Sequence, residues 1–163
     1  MDSGNFAWSI TATALVLFMT PGVAFFYGGL VKAKSVVSMM MMSFGSLGLV
    51  SVLWVLFGWN MAGLGETDGW QFQFAGNPFT ENFALAGLDS ATLVGAAFGA
   101  TFAIITVALI SGAIADRAKF GSWMIFAGIF ATVVYFPVAA WVWGAGGWIY
   151  NLGAAFGLDY SVI

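Results

Sequence analysis

The chain has no cysteine and no histidine. Without cysteine there is no disulfide frame, no thiol nucleophile and no thiolate metal site. Without histidine the commonest general base and the commonest metal ligand are missing too. Charge is scarce: Asp, Glu, Lys and Arg make up 7% of the 163 residues, against about 25% in a soluble domain. Only four residues are cationic, Lys32, Lys34, Arg117 and Lys119. No basic run exists, so no nucleic-acid partner is expected. Met1-Asp2-Ser3 has no basic stretch, so no cleavable signal is expected. With neither acid, base nor metal ligand inside its apolar runs, the chain is not expected to be an enzyme, to hold a metal or to need a cofactor.

Apolar residues dominate instead, at 61% of the chain, with a mean hydropathy of +0.97. They fall into four uncharged runs, about 8–31, 36–64, 92–115 and 120–148. Each exceeds the roughly 20 residues that cross a hydrocarbon core as a helix. In lipid the backbone must satisfy its own hydrogen bonds, so helices are the form such runs take. The expected fold class is therefore all-α integral membrane, with four transmembrane helices and an outer loop of about 65–91. A cation at the bilayer centre costs about 2.5–3.5 kcal/mol on the lenient insertion scale, so all four cations retreat to two short loops. Lys and Arg mark the cytoplasmic side. Both cationic loops are then expected in the cytoplasm, and the amino terminus outside. Six acids fall outside on that topology: Asp2, Glu66, Asp68, Glu81, Asp89 and Asp159. Solvation accounts for them most simply; a weak field that gathers cations is the functional alternative.

Several features inside the runs bear on packing. Gly95, Gly99 and Ala103 recur at intervals of four, a spacing that lets helix backbones approach closely. Pro21 and Pro137 each remove a helical hydrogen bond and invite a kink. Met39 to Met42 are consecutive and point all around a helix, so they suit adaptable packing or lipid contact better than one metal ion. Trp8, Trp59, Trp70, Trp141, Trp143 and Trp148 all fall toward the outer surface, where an interfacial belt explains most of them. Trp143 stands apart, because Trp141-Val142-Trp143-Gly144-Ala145-Gly146-Gly147-Trp148 sets indoles beside glycines and suits a vestibule.

Five segments carry a resemblance in order along nearly the whole chain. They are Asp2-Ser3-Gly4-Asn5-Phe6-Ala7-Trp8, then Met19 to Val31 with Thr20-Pro21-Gly22 and Phe26-Tyr27-Gly28-Gly29-Leu30, then Leu53-Trp54-Val55-Leu56-Phe57-Gly58-Trp59. Thr101 to Arg117, ending Ala115-Asp116-Arg117, and Tyr135 to Gly144 complete the set. On these segments the chain resembles the amino-terminal part of the ammonium transporters (the Amt/Mep/Rh family), in the Amt branch. The resemblance implies a helical transporter of about eleven spans, built as two inverted halves around a narrow pore, of which residues 1–163 are similar to the first four. It implies a homotrimer in the plasma or inner membrane, ammonium recruited at an outer aromatic vestibule, and ammonia conducted through an apolar pore. Phe102 matches the family's outer gate phenylalanine, and Trp143 matches the tryptophan that faces the recruited ion. An aromatic face attracts a cation by about 0.5–2 kcal/mol, whereas stripping water from an isolated ammonium costs about tens of kcal/mol in a dry medium. Such rings recruit the ion but cannot carry it through, and loss of the proton resolves the mismatch.

The chain departs from the family pattern at three places. Gly99 stands where the family usually has glutamine, and Ala140 where it commonly has histidine. Leu158-Asp159-Tyr160-Ser161-Val162-Ile163 does not continue as the family's D-F-A-G-G segment, which precedes the second gate phenylalanine, the vestibule serine and the paired pore histidines. A fragment or truncated product of a transporter is therefore expected. The alternative is a stand-alone four-helix membrane protein with an assembly or regulatory role. A small exporter of cationic drugs would need an acid within a span, and no run contains one.

Overall fold

The computed structural model describes residues 2–64, 74–80 and 82–152. Glu66, Asp68, Trp70, Glu81, Asp159 and the chain after residue 152 lie outside the described residues, and with them most of the expected acid-bearing outer loop. Four long helices carry the fold, and no strand occurs among the described residues. They are α1 (Ser3–Leu30), α2 (Ala33–Met61), α3 (Ser90–Ile114) and α4 (Phe120–Trp143), each long and apolar enough to cross a membrane.

The starts of α1 and α3 are capped by short acidic side chains. Asp2 accepts from the Asn5 backbone N–H at 2.7 Å through Oδ1 and from Asn5 Nδ2 at 3.2 Å through Oδ2. Asp89 accepts from the Ala91 N–H at 3.0 Å and also from the Thr92 hydroxyl. Both satisfy amide donors that a helix start leaves orphaned, so these two acids cap helices. The Thr92 hydroxyl first, then the Ala91 amide, holds the Asp89 carboxyl below its usual range.

The helices alternate in direction. At one end Tyr27 Oη donates to the Leu109 carbonyl at 3.1 Å, and a Cβ on Gly112 would lie 2.7 Å from the Tyr27 ring. The carboxyl ends of α1 and α3 therefore meet. The start of α2 joins them, with Met40 against Gly28. The start of α4 completes the group: Trp123 Nε1 donates to the Met42 carbonyl at 2.9 Å and to Ser46 Oγ at 3.1 Å. Lys32, Lys34, Arg117 and Lys119 consequently all lie at this end. At the opposite end Trp54 Nε1 donates to the Ala96 carbonyl at 2.9 Å, tying the end of α2 to the beginning of α3. α2 is the central helix, packed on all three others.

The methionine run divides by face. Met39 and Met42 are buried, while Met41 is exposed. Pro21 lies within the continuous α1. Pro137 instead follows a π-helical turn, Ala131–Tyr135. A second π turn, Trp54–Gly58, interrupts α2. The two wide turns are neighbours across the α2–α4 seam: the Phe136 ring lies 5.6 Å from that of Trp54 and 6.0 Å from that of Phe57. A Cβ on Gly58 would come within 2.7 Å of Phe136, so glycine leaves this ring its seat. Such π turns occur mostly as single insertions and frequently at functional sites.

Candidate functional site

A cavity of about 400 Å³ opens at the end away from the cations. Its walls are Trp54 and Trp59 from α2, Phe98 and Phe102 from α3, and Trp143 from the last position of α4, with Leu64, Gly95 and Gly99 between them. The two residues singled out from sequence, Phe102 and Trp143, thus share one cavity although they belong to different helices.

Local structure explains how each ring arrives there. Phe98 and Phe102 are one helical turn apart and lie on one face; their rings meet edge to face at 4.9 Å. Trp54 and Trp59 are five residues apart, which in a regular α-helix would set them about 140° apart. The π turn changes that. The Trp59 backbone N–H donates to the Trp54 carbonyl, an i→i+5 bond that brings both side chains onto one side, with ring centroids 6.2 Å apart. Trp143 closes α4, and the backbone turns extended at Gly144. The indole therefore stands at the rim, 42% exposed. Gly144 permits the turn, because a Cβ there would lie 2.6 Å from the Ala140 carbonyl oxygen. The segment 74–80, between α2 and α3, docks beside this rim: the Gly76 N–H donates to the Met61 carbonyl at 2.8 Å, and Trp141 Nε1 donates to the Phe74 carbonyl at 2.7 Å.

Gly99 has a specific neighbour. A Cβ at this position would meet Trp54 Cζ2 at 2.8 Å. The Trp54 ring fills the space into which a side chain at 99 would project. Trp54 cannot drift away, since it is buried and its indole nitrogen is bonded to Ala96. Ala140 is likewise fully buried, so nothing larger stands between α4 and its neighbours at that level. The small-residue stripe of α3 serves two purposes. Ala103 is packed and Gly99 seats Trp54, but Gly95 meets no atom within 4 Å of its would-be Cβ and lines the cavity.

Three wall residues escaped the sequence reading. Trp59 is not a belt residue: it is 6% exposed, whereas Trp8 is 70% exposed. Trp54 and Phe98 gave no sign of facing a common space, because the π turn that brings Trp54 and Trp59 together has no signature in the residues. The glycine at 99 was the available hint, since a glycine inside a helix implies a close approach.

Among the described residues the walls present π faces and no charged side chain. Among the described residues no three His, Cys, Asp or Glu side chains come together. What such a cavity can do is attract a small cation to ring faces at its mouth and offer an apolar interior beyond it.

Four apolar helices and an aromatic cavity at one end define an integral membrane protein. Comparison with known proteins narrows the class. The family model described as Ammonium Transporter Family matches residues 7–162, and the chain belongs to that family. An ammonium transporter of Mycobacterium tuberculosis (strain ATCC 25618 / H37Rv) is 49% identical over 176 aligned positions, covering 92% of this chain and 37% of that protein. One from Aquifex aeolicus is 44% identical, covering 99% of this chain and 38% of the relative. Among solved structures, Mep2 of Candida albicans superposes with a TM-score of 0.78 at 30% identity, covering 94% of this chain and 34% of that one. The four helices therefore have the ammonium transporter fold, and the chain spans a little over a third of the length of these relatives.

Proposed function

We propose that this chain forms the outer, ion-recruiting part of an ammonium-conducting protein. Phe102 and Trp143 are its substrate-binding residues, and residues 1–163 correspond to the amino-terminal portion of the transporter domain. The observation that carries this reading is the meeting of these two side chains, with three further rings, around one cavity whose described lining is uncharged. The relatives are named ammonium transporters, which supports a transport role over an enzymatic one. Ammonium settles against the Trp143 face at the rim, where water still reaches it, and ammonia continues past Phe102. The working assembly is a homotrimer in the plasma or inner membrane.

The orientation follows from charge. With all four cations at the end opposite the cavity, the positive-inside rule sets the cavity outside, the amino terminus outside and both cationic loops in the cytoplasm. A cysteine-free chain makes this easy to check. Ser3→Cys should react with an impermeant thiol reagent added to intact cells, and Ser35→Cys only after lysis; the opposite pattern reverses the topology. For recruitment, the chain in lipid nanodiscs should bind radiolabelled methylammonium, and Trp143→Leu should weaken that binding. Undiminished binding removes Trp143 from the site.

A further inference from the structure

We propose that Trp59 is a further discriminating residue of this cavity, whose indole N–H donates a hydrogen bond to the lone pair of a neutral amine, ammonia foremost. The inference rests on reading the cavity as the ammonium site. It begins with an exception among the tryptophans. The indole nitrogens of Trp54, Trp123 and Trp141 each donate to a backbone carbonyl. Trp59 is buried and lines the cavity, yet its Nε1 has no partner among the described residues. Buried polar groups are nearly always paired, and one left alone destabilises the fold unless something else meets it.

The chemistry of the group defines what that is. An indole N–H is a donor only. Ammonium has four N–H bonds and no lone pair, so it cannot accept this hydrogen bond, and the positive end of the N–H dipole disfavours it. Ammonia, or any primary amine in its free-base form, has one lone pair and can accept. Ring faces and ring edge thus favour opposite protonation states: the faces of Trp143 and Phe102 hold the cation, and the Trp59 N–H holds the base. Where ammonium gives up its proton, the products are ammonia at Trp59 and a hydronium ion in the water at the exposed rim. No other described wall side chain offers a buried donor for this purpose, because the Trp54 nitrogen is already committed to Ala96.

The test separates the N–H from the bulk of the ring. Trp59 is replaced by benzothienylalanine, which keeps the bicyclic shape and lacks the N–H, with Trp59→Phe as a second variant. Binding of trifluoroethylamine to the chain in nanodiscs is followed by fluorine NMR. Its weak basicity lets one compound be measured as cation and as free base on either side of its own pKa. The quantity read is the preference for free base over cation. A fall of about fivefold in that preference, in either variant that retains its helical circular dichroism, is the expected result. An unchanged preference overturns the proposal, whether both forms bind as before (an N–H resting on the Trp54 face gives this) or both weaken alike through lost packing. If the unaltered chain binds free base but no cation, the recruitment reading fails, and Trp59 is judged by free-base affinity alone: a fall of about fivefold in the benzothienylalanine variant supports its role and an unchanged affinity overturns it. If it binds neither, both fall.

Discussion

Two hollows of about 400 Å³ flank α2, and they share little else. The one at the end away from the cations is walled by five aromatic rings. The other lies between α2 and α4, lined by Leu49, Leu53, Met124, Ile125, Gly128, Ile129, Thr132 and Val133. Its single hydroxyl is already committed, since Thr132 Oγ1 donates to the Gly128 carbonyl at 2.9 Å. Nothing in this second hollow attracts an ion: there is no ring face and no open donor. Size therefore does not distinguish a binding cavity from a gap between helices; the chemistry of the walls does. The glycines make the same point. Gly99 in the aromatic cavity is filled from the side by Trp54, while a Cβ on Gly128 would meet Leu49 at an ordinary 3.5 Å.

The contrast can be attacked at four points. The largest effect is expected from Trp54→Ala, which empties the wall shared by α2, α3 and α4 and leaves the Ala96 carbonyl without its donor. A loss of about 3–5 kcal/mol is expected, read as a lowered unfolding midpoint in detergent; a midpoint within error of the parent would mean that Trp54 does not organise the cavity. Next comes one substitution made on both sides of α2. Gly99→Ala drives a methyl into a ring that cannot move and should destabilise by about 1–3 kcal/mol. Gly128→Ala meets no obstacle and should stabilise by up to about 1 kcal/mol through helix propensity. Equal shifts in the two would erase the distinction between the hollows.

The third point concerns the ligand. Trp143→Leu should cost methylammonium binding about 0.5–2 kcal/mol while leaving the unfolding midpoint nearly unchanged, because the ring is largely outside the packed core. Ile129→Ala, in the aliphatic hollow, should leave methylammonium affinity as it was. A loss with Ile129→Ala equal to that with Trp143→Leu would tie binding to general packing. The smallest effect is at the cap of α3. The Asp89 carboxyl is held below its unfolded value, chiefly by Thr92 and then by the Ala91 amide. Its contribution is present above the unfolded pKa and disappears as pH falls through the lower folded pKa. Stability should therefore decline on acidification below the ordinary aspartate range, and Asp89→Asn should flatten that slope. A parent and variant with parallel pH profiles would show that the cap is idle.

Much of the architecture was legible in the residues. Long uncharged runs leave a chain in lipid no form but helices, and the confinement of four cations to two loops brought those loops to one end. Phe102 and Trp143 were legible through resemblance, and they do share a cavity. The rest of that cavity was hidden. Trp59 reads as a belt residue because tryptophan near a span end usually is one. Its burial depends on a π turn that no residue pattern announces, and on the position of Phe136 against Gly58. Gly95 reads as a packing residue because its spacing with Gly99 and Ala103 is regular, yet α2 does not reach it. The acids at 2 and 89 read as solvated charge, and local hydrogen bonding makes them caps instead.

Composition and charge order alone determined that this protein is a bundle of membrane-crossing helices with alternating direction, because burying charge in hydrocarbon is costly wherever the helices happen to pack. Which rings surround the cavity, which glycine gives way to a tryptophan and which buried indole N–H finds no partner among the described residues were decided only when α2, α3 and α4 came together. Those outcomes depend on helical phase, and one i→i+5 hydrogen bond rotates a whole segment by more than a sequence period can reveal.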